Sequence, residues 1–471
     1  MGVQRDPGSF RDPSGYVYLD GGTVWRTVNA CAESAYQALS DSGLIRELCD
    51  RGLLIDTVEE PAPALDLQRF AGARGEVPKR LLRHPRVPMI SYPYEWTFSQ
   101  LKDAALAHLD LQIAAFDKGF ALSDATPYNM QFLGTKVVHI DVLSLRPYRE
   151  GEIFAGHNQF CRLFLLPLLL EAWQGMPFQP LLRGRIEGIQ PTDAINLLPA
   201  MKRWLSLRGL LHVTLPARLE KAGSSSRHGE VGKLPTLPKA RYRAILTDLR
   251  AWVAELRSGR KVPTFWKEYA GANSYSDTMQ TVKRQFVADF VAASKPETVW
   301  DVGGNTGDYS EVALKTGAKR AVVLDTDLDC LEMAYARRKR DGLDLLPLLL
   351  DFADPSPSMG WNQSERLGLK ERMNADGVVA LAVIHHLAIG RNLPLQSVVN
   401  TLVKAGSSGI IEFVPKADPM VRGMLSHRED VFHDYDEEHF RQYLAEAGAR
   451  IVKEHRFEEN GRLLAFFERA P

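Results

Sequence analysis

The stretch Glu297-Thr-Val-Trp-Asp301-Val-Gly303-Gly304-Asn305-Thr-Gly307-Asp308 constrains this chain more than any other. Val299 and Trp300 suit a buried strand. Gly303, Gly304 and Gly307 let the backbone turn sharply and approach a ligand that side chains would hold off. Asn305 fits the same turn, because Asn tolerates positive φ better than most residues. The pattern then becomes helical from Asp308 to a stop at Gly317, where glycine is the favoured cap. Strand, glycine turn and helix in that order leave free amides facing a bound nucleotide.

The flanks carry the same alternation. A second strand, Arg320 to Asp325, ends in an acid about where such folds set a carboxylate on the ribose hydroxyls. A third, Leu345 to Leu350, is followed by Asp351 and Phe352. A fourth, Gly377 to Ile384, leads into His385 and His386, and a fifth runs from Gly409 to Val414. Helical stretches at Leu331 to Arg340 and Leu395 to Ala405 lie between them, so a parallel sheet covered on both faces is predicted. After a helix near Glu437 to Ala447, Arg450 to His455 and Leu463 to Glu468 are joined through Asn460-Gly461, which reads as an antiparallel hairpin. A dinucleotide dehydrogenase would want Gly-x-Gly-x-x-Gly, and those places hold Gly303, Asn305 and Asp308.

From about Thr264 to Pro471 the chain resembles class I S-adenosylmethionine-dependent methyltransferases, with Asp301-x-Gly303-x-Asn305-x-Gly307 as their first motif. Within that superfamily it is similar to a group of bacterial two-part proteins, the rhizobial host-specific nodulation protein NoeA group. The match rests on Trp266-Lys-Glu-Tyr269, Ser274-Tyr275, the glycine turn, Ile384-His-His-Leu-Ala-Ile-Gly390 and Ile411-Glu-Phe-Val-Pro415. Asn305 replaces the commoner glycine, and the resemblance implies a side-chain amide near the methionine end of the cofactor. The resemblance implies a Rossmann-like seven-stranded sheet with a terminal antiparallel hairpin and S-adenosyl-L-methionine as cofactor. It puts Asp301 near the methionine moiety, Asp325 on the ribose, and Asp351 with Phe352 at the adenine edge, with Gly303, Gly304, Asn305 and Gly307 as the cradle. The plain alternative is that acids at strand ends only cap the next helix.

Displacement at a sulfonium methyl group is accelerated by alignment and by exclusion of water, so no metal is called for. A hydroxyl or ammonium acceptor needs a base, which makes His385 and His386 the catalytic candidates, with at most one facing the methyl group. Glu412, Tyr275 and Lys283 are further candidates for acceptor contact. The acceptor is expected to be a small molecule, a glycan-like compound or a protein.

The first half carries a quieter signal. Tyr16 to Asp20 and Thr23 to Val28 predict a hairpin, and helices follow at about Ala32 to Arg51 and Phe98 to Phe120. Then Asp124-Ala-Thr-Pro127-Tyr-Asn129 and Val137-Val-His139-Ile-Asp141 resemble the catalytic segment of protein kinase and aminoglycoside phosphotransferase folds. That resemblance makes Asp124, Asn129 and Asp141 a kinase-like site for ATP and magnesium. The pattern departs in several places: Leu122-Ser123 replaces His-Arg, no Phe-Gly follows Asp141, and no nucleotide-binding Lys or phosphate-covering glycine loop is evident. A phosphotransferase in this half, or a non-catalytic cofactor-binding module in the other, are the competing functions.

With 471 residues, two or three units are expected. The reading divides the chain into a small α+β lobe (1–95), a mainly helical kinase-like lobe (96–222), a linker and connecting helix (223–263), and the methyltransferase domain (264–471). The linker is Ala222 to Lys233, and Ala240 to Arg257 is its helix. Lys plus Arg and Asp plus Glu both number 58, a balance that offers no general affinity for nucleic acid. The basic run Arg337 to Arg340 closes a predicted helix, where cations are favourable. Cys31, Cys49, Cys161 and Cys330 show no Cys-x-x-Cys pairing, so neither a zinc site nor a disulfide framework is predicted. The start lacks the apolar core of a secretion signal, and Phe164 to Leu170 is too short to span a bilayer, so a cytoplasmic protein without membrane insertion is expected. Composition does not specify the oligomeric state.

Overall fold

The computed structural model describes residues 3–61, 67–72, 75–152, 154–204, 206–218, 236–260 and 277–469. The Ala222–Lys233 linker, Trp266–Tyr269 and Tyr275 lie outside them. Two compact units are formed: Met1–Lys261 with Ser358–Leu367, and Val262–Pro357 with Gly368–Pro471.

In the first unit, β1 (Gln4–Arg5), β2 (Val17–Asp20), β3 (Thr23–Val28), β4 (Val58–Glu60) and β5 (Arg80–Pro85) make an antiparallel sheet of order β1-β2-β3-β5-β4. The β2–β3 hairpin turns at Gly21, whose φ is +59°. The expected helix from Ala32 to Arg51 is broken into α1 (Glu33–Asp41) and α2 (Leu44–Asp50), because Gly43 adopts φ +70° between them. The long helix α3 (Phe98–Asp117) starts at a capping box, in which the Gln100 N–H donates to Thr97 Oγ1 and the Thr97 N–H to Gln100 Oε1. It stops earlier than predicted, since Gly119 at φ +84° turns the chain into β6 (Phe120–Leu122). Three short strands follow, β7 (Met130–Leu133), β8 (Lys136–His139) and β9 (Leu145–Pro147). Helix α4 (Lys239–Glu255) packs on α3 and bonds to it through Gln112–Tyr242 and Arg243–Asp117. The segment 358–367 joins this unit by an ion pair between Arg11 and Glu365 at 2.6 Å and by Arg366 over the Tyr128 ring.

Among the described residues, the second unit begins with α5 (Asp277–Ser294). Around it run β10 (Thr298–Val302), α6 (Asp308–Thr316), β11 (Arg320–Asp325), α7 (Leu328–Asp341), β12 (Leu345–Leu349), β13 (Ala375–Ala380), α8 (Leu395–Ala405), β14 (Gly406–Phe413), α9 (Glu437–Glu446), β15 (Ala449–Arg456) and β16 (Leu463–Arg469). Seven strands form one sheet of order β12-β11-β10-β13-β14-β16-β15, parallel except at β16, which runs antiparallel to both of its neighbours. One face is closed by Phe286, Val287, Phe290 and Val291 of α5 against Val299, Val379, Ile410 and Phe466. Burial of such side chains, at about 25 cal/mol per Å² of apolar surface, is the main stabilising contribution. Gly461 at φ +72° makes the β15–β16 turn, where its N–H donates to the Phe457 carbonyl.

One strand boundary differs from expectation in a way that matters for the site. The fourth strand ends at Ala380 rather than Ile384, because Ala382 adopts φ +52° and turns the chain out of the sheet. His385 and His386 therefore lie on a helical turn rather than on the strand, and the His386 N–H donates to the Val383 carbonyl.

Candidate functional site

The turn after β10 takes positive φ at Gly303 (+66°), Asn305 (+50°) and Gly307 (+77°). At Gly304 space is the constraint. A Cβ there would sit 2.7 Å from Asp301 Cγ and 2.9 Å from Val323 Cγ1. Asp301, nearly fully buried at the end of β10, accepts from the Ser310 N–H at 3.1 Å and Oγ–H at 2.8 Å, which ties the turn to the first turn of α6. Burial pushes its carboxyl up to about 7, against the lowering pull of the Ser310 bonds.

Asp325 at the end of β11 holds the other side of the loop. One carboxylate oxygen accepts from the Asn305 N–H at 2.8 Å, and the other from the N–H groups of Thr326 and Asp327 at 2.7 and 2.9 Å. Burial holds its carboxyl above the usual range, opposed by those amides. The Asn305 side-chain oxygen accepts from the Thr306 N–H, so part of that side chain caps its own turn. Past β12, Asp351 accepts from the Ala353 N–H and pairs with Arg391.

These residues surround one cavity of about 590 Å³. Asp301, Gly303, Gly304, Asn305, Asp325, Asp351, Phe352, Lys283 and His386 all line it. Gly307 lies one position outside the lining, between Thr306 and Asp308, which belong to it. His385 does not line the cavity: it is fully buried behind His386, with ring centroids 4.2 Å apart and neither ring nitrogen hydrogen-bonded. Of the two histidines only His386 is placed to meet a ligand there. Burial and the Arg462 charge lower its imidazole to about 4, so it is neutral at pH 7.

Glu412 is also fully buried and off the cavity lining, and it meets Lys283 instead. Lys283 Nζ is 2.7 Å from Glu412 Oε2; Arg462 Nη1 is 3.3 Å from Glu412 Oε1, and its Nε is 2.7 Å from Asp418 Oδ2. Two cations and two carboxylates thus neutralise one another inside the protein. Arg462, Asp418 and Arg391 were not among the sequence candidates. Their partners lie 44 residues or more away for Arg462 and 40 for Arg391, so no local pattern marks them.

In the first unit, Asn129 Nδ2 donates to Asp124 at 3.1 Å, and Arg26 of β3 pairs with both Asp12 and Asp141. Burial, with the nearby charges of Asp141 and Asp12, raises the Asp124 carboxyl to about 7. The three kinase-like candidates are thus brought near one another, with a guanidinium already bonded to Asp141.

Strand order, glycine turn and closing hairpin define the second unit as a class I methyltransferase-type fold. The chain is 43% identical over 468 residues to the nodulation protein NoeA of Rhizobium meliloti strain 1021, covering 99% of this chain and 96% of that one. It belongs to the NoeA nodulation protein family. No family model matches the chain. Solved structures similar to it include magnesium protoporphyrin IX methyltransferase of Synechocystis PCC 6803, at 15% identity over 44% of this chain and 92% of that one, with a TM-score of 0.32. The N-methyltransferase NodS of Bradyrhizobium japonicum WM9 is similar at 14% identity over 42% and 90%, with a TM-score of 0.31. Among the described residues no helix is long and apolar enough to cross a membrane.

Proposed function

We propose that the chain is an S-adenosylmethionine-dependent methyltransferase and that the cavity of the second unit holds its cofactor. The observation that carries this reading is the convergence of the glycine turn, Asp325 and the Asp351–Phe352 pair on one cavity. Asp325 accepts from the ribose hydroxyls, Phe352 packs at the adenine edge, and Asp301 faces the cationic methionine end. When bound, the cofactor supplies the electrophilic methyl group. The chain's own part is to align it, to exclude water and to take a proton.

Asp301 gives the affinity a pH dependence. Its protonated form offers no charge to the cofactor's cationic end, and its carboxyl is raised to about 7. Dissociation constants measured by calorimetry are therefore expected to fall by up to about tenfold per pH unit as pH rises toward 7, and to level off above it. Asp301→Asn should flatten that profile, and a steep profile in this variant contradicts the assignment.

His386 is the residue we assign to proton removal from a hydroxyl or ammonium acceptor. Incubating cell extract with enzyme and methyl-labelled cofactor, followed by mass spectrometry, identifies the acceptor and tests the proposal. His386→Ala should lower transfer by about 100-fold or more while leaving cofactor affinity close to wild type. Full transfer by that variant removes the base. Absence of any labelled product, with cofactor still bound, favours a cofactor-responsive binding module.

A second reading rests on Asp124, Asn129 and Asp141 in the first unit, and would make that unit an ATP- and magnesium-dependent phosphotransferase. The Arg26 guanidinium on Asp141 opposes it, since magnesium would have to displace a partner already in place. Adding magnesium and ATP together is expected to leave the melting temperature unchanged. A rise that Asp141→Asn abolishes would establish the second reading.

A further inference from the structure

Three side chains in the first unit lie together without a role in either reading. His157 and Cys161 are four residues apart on one continuous helical stretch, so they share a face. His212 comes from a separate one. His157 Nε2 lies 2.8 Å from His212 Nδ1 and 3.8 Å from Cys161 Sγ, and the three atoms fall within 4.8 Å of one another. Cys161 and His212 are buried and His157 is partly so. The rings of Phe154 and Trp252 pack beside the two imidazoles, with centroids 5.8 and 6.0 Å away, and form an apolar shell around the group.

From this geometry we infer that His157, Cys161 and His212 form a binding site for a single zinc-class transition-metal ion. Two imidazoles and a thiolate are the donor set such an ion prefers over the oxygen ligands of magnesium or calcium. Tetrahedral coordination at ordinary bond lengths sets nitrogen donors ~3.3 Å apart and nitrogen and sulfur ~3.6 Å apart. Binding therefore asks the two nitrogens to separate by about half an ångström, while the His157–Cys161 separation of 3.8 Å is already close to the tetrahedral value. The backbone supports the reading independently. Cys161 opens one five-residue π-type turn and His212 lies within another, and such turns occur frequently at functional sites.

Both imidazoles would bind the ion in their neutral form, through the ring nitrogens that already face each other. Cys161 coordinates as the thiolate, releasing its proton as the ion arrives. Each metal bound releases one proton. The alternative is a plain hydrogen bond between two neutral imidazoles, with the thiol an inert neighbour. The local sequence signal of the site is His157-x-x-x-Cys161, which lacks the Cys-x-x-Cys pairing of common zinc motifs.

Cobalt(II) titrated into the metal-free full-length chain distinguishes the two. The expected result is saturation at about one ion per chain, with visible ligand-field bands and a near-ultraviolet sulfur-to-cobalt charge-transfer band. Zinc should bleach both, and Cys161→Ser should abolish the charge-transfer band. His212→Gln should weaken binding at least tenfold. No binding, or weak binding that both variants leave intact, overturns the site. Should Cys161→Ser fail to fold, the wild type decides alone, because cobalt bands without sulfur charge transfer also overturn it.

Discussion

Replacing Asp325 by alanine is expected to weaken S-adenosylhomocysteine binding by about 100-fold or more. Two losses combine. A carboxylate that accepts from both ribose hydroxyls makes charge-assisted bonds worth about 1.5–3 kcal/mol each, so losing both costs at least about 3 kcal/mol, or roughly two decades in affinity. The same side chain also accepts from the N–H groups of Asn305, Thr326 and Asp327, so its removal frees the loop that presents amides to the ligand. Asp325→Asn should recover part of the loop bonding and little of the affinity. Asp329→Ala, in the first turn of α7 and outside the cavity lining, should change nothing. Calorimetric titration reads all three, and equal affinity for Asp325→Ala and wild type would remove Asp325 from the site.

Glu412→Ala is expected to destabilise the second unit by about 3–5 kcal/mol. The carboxylate lies between Lys283 and Arg462, all three being nearly inaccessible to solvent. Removing it leaves two buried cations facing the remaining carboxylate of the cluster, Asp418, and desolvated charge without compensation is costly. Glu412→Gln keeps the shape and loses the charge, so it should destabilise nearly as much. The exposed pair of Glu297 and Lys319, at 2.6 Å, provides the contrast, and Glu297→Ala should produce no resolvable change. Native-state hydrogen exchange at the amides of β14 and β16 measures the effect within this unit, without assuming that the two units unfold together. Unchanged protection in Glu412→Ala would mean that water or a rearranged Asp418 already screens the two cations.

The parts of this fold that were legible in the sequence are those whose physics is local. The glycine turn follows from residues able to adopt positive φ, and Asn305 does adopt it. The hairpin at Asn460-Gly461 is likewise where turn chemistry put it, and α8 runs over the predicted Leu395 to Ala405. What escaped was long-range or conformationally unmarked. Ala382 takes a left-handed conformation that nothing in Leu381-Ala-Val-Ile384 announces, and that residue alone moves the two histidines from a strand to a helical turn. Arg462 meets Glu412 and Asp418 across 50 and 44 residues, and the excursion at 358–367 joins a unit to which its flanks do not belong. The candidate site was therefore readable in its backbone cradle and its acids, but not in the buried charges behind it.

On the proposed function, the cavity beside Asp301 and Asp325 is a methyl-donor site. Calorimetric titration of the full-length wild-type chain with S-adenosylmethionine, and in parallel with NADH, tests it most directly. Saturable binding of S-adenosylmethionine at about one site per chain and no heat with NADH are expected. Saturable NADH binding, or no binding of S-adenosylmethionine by the folded protein, would contradict it.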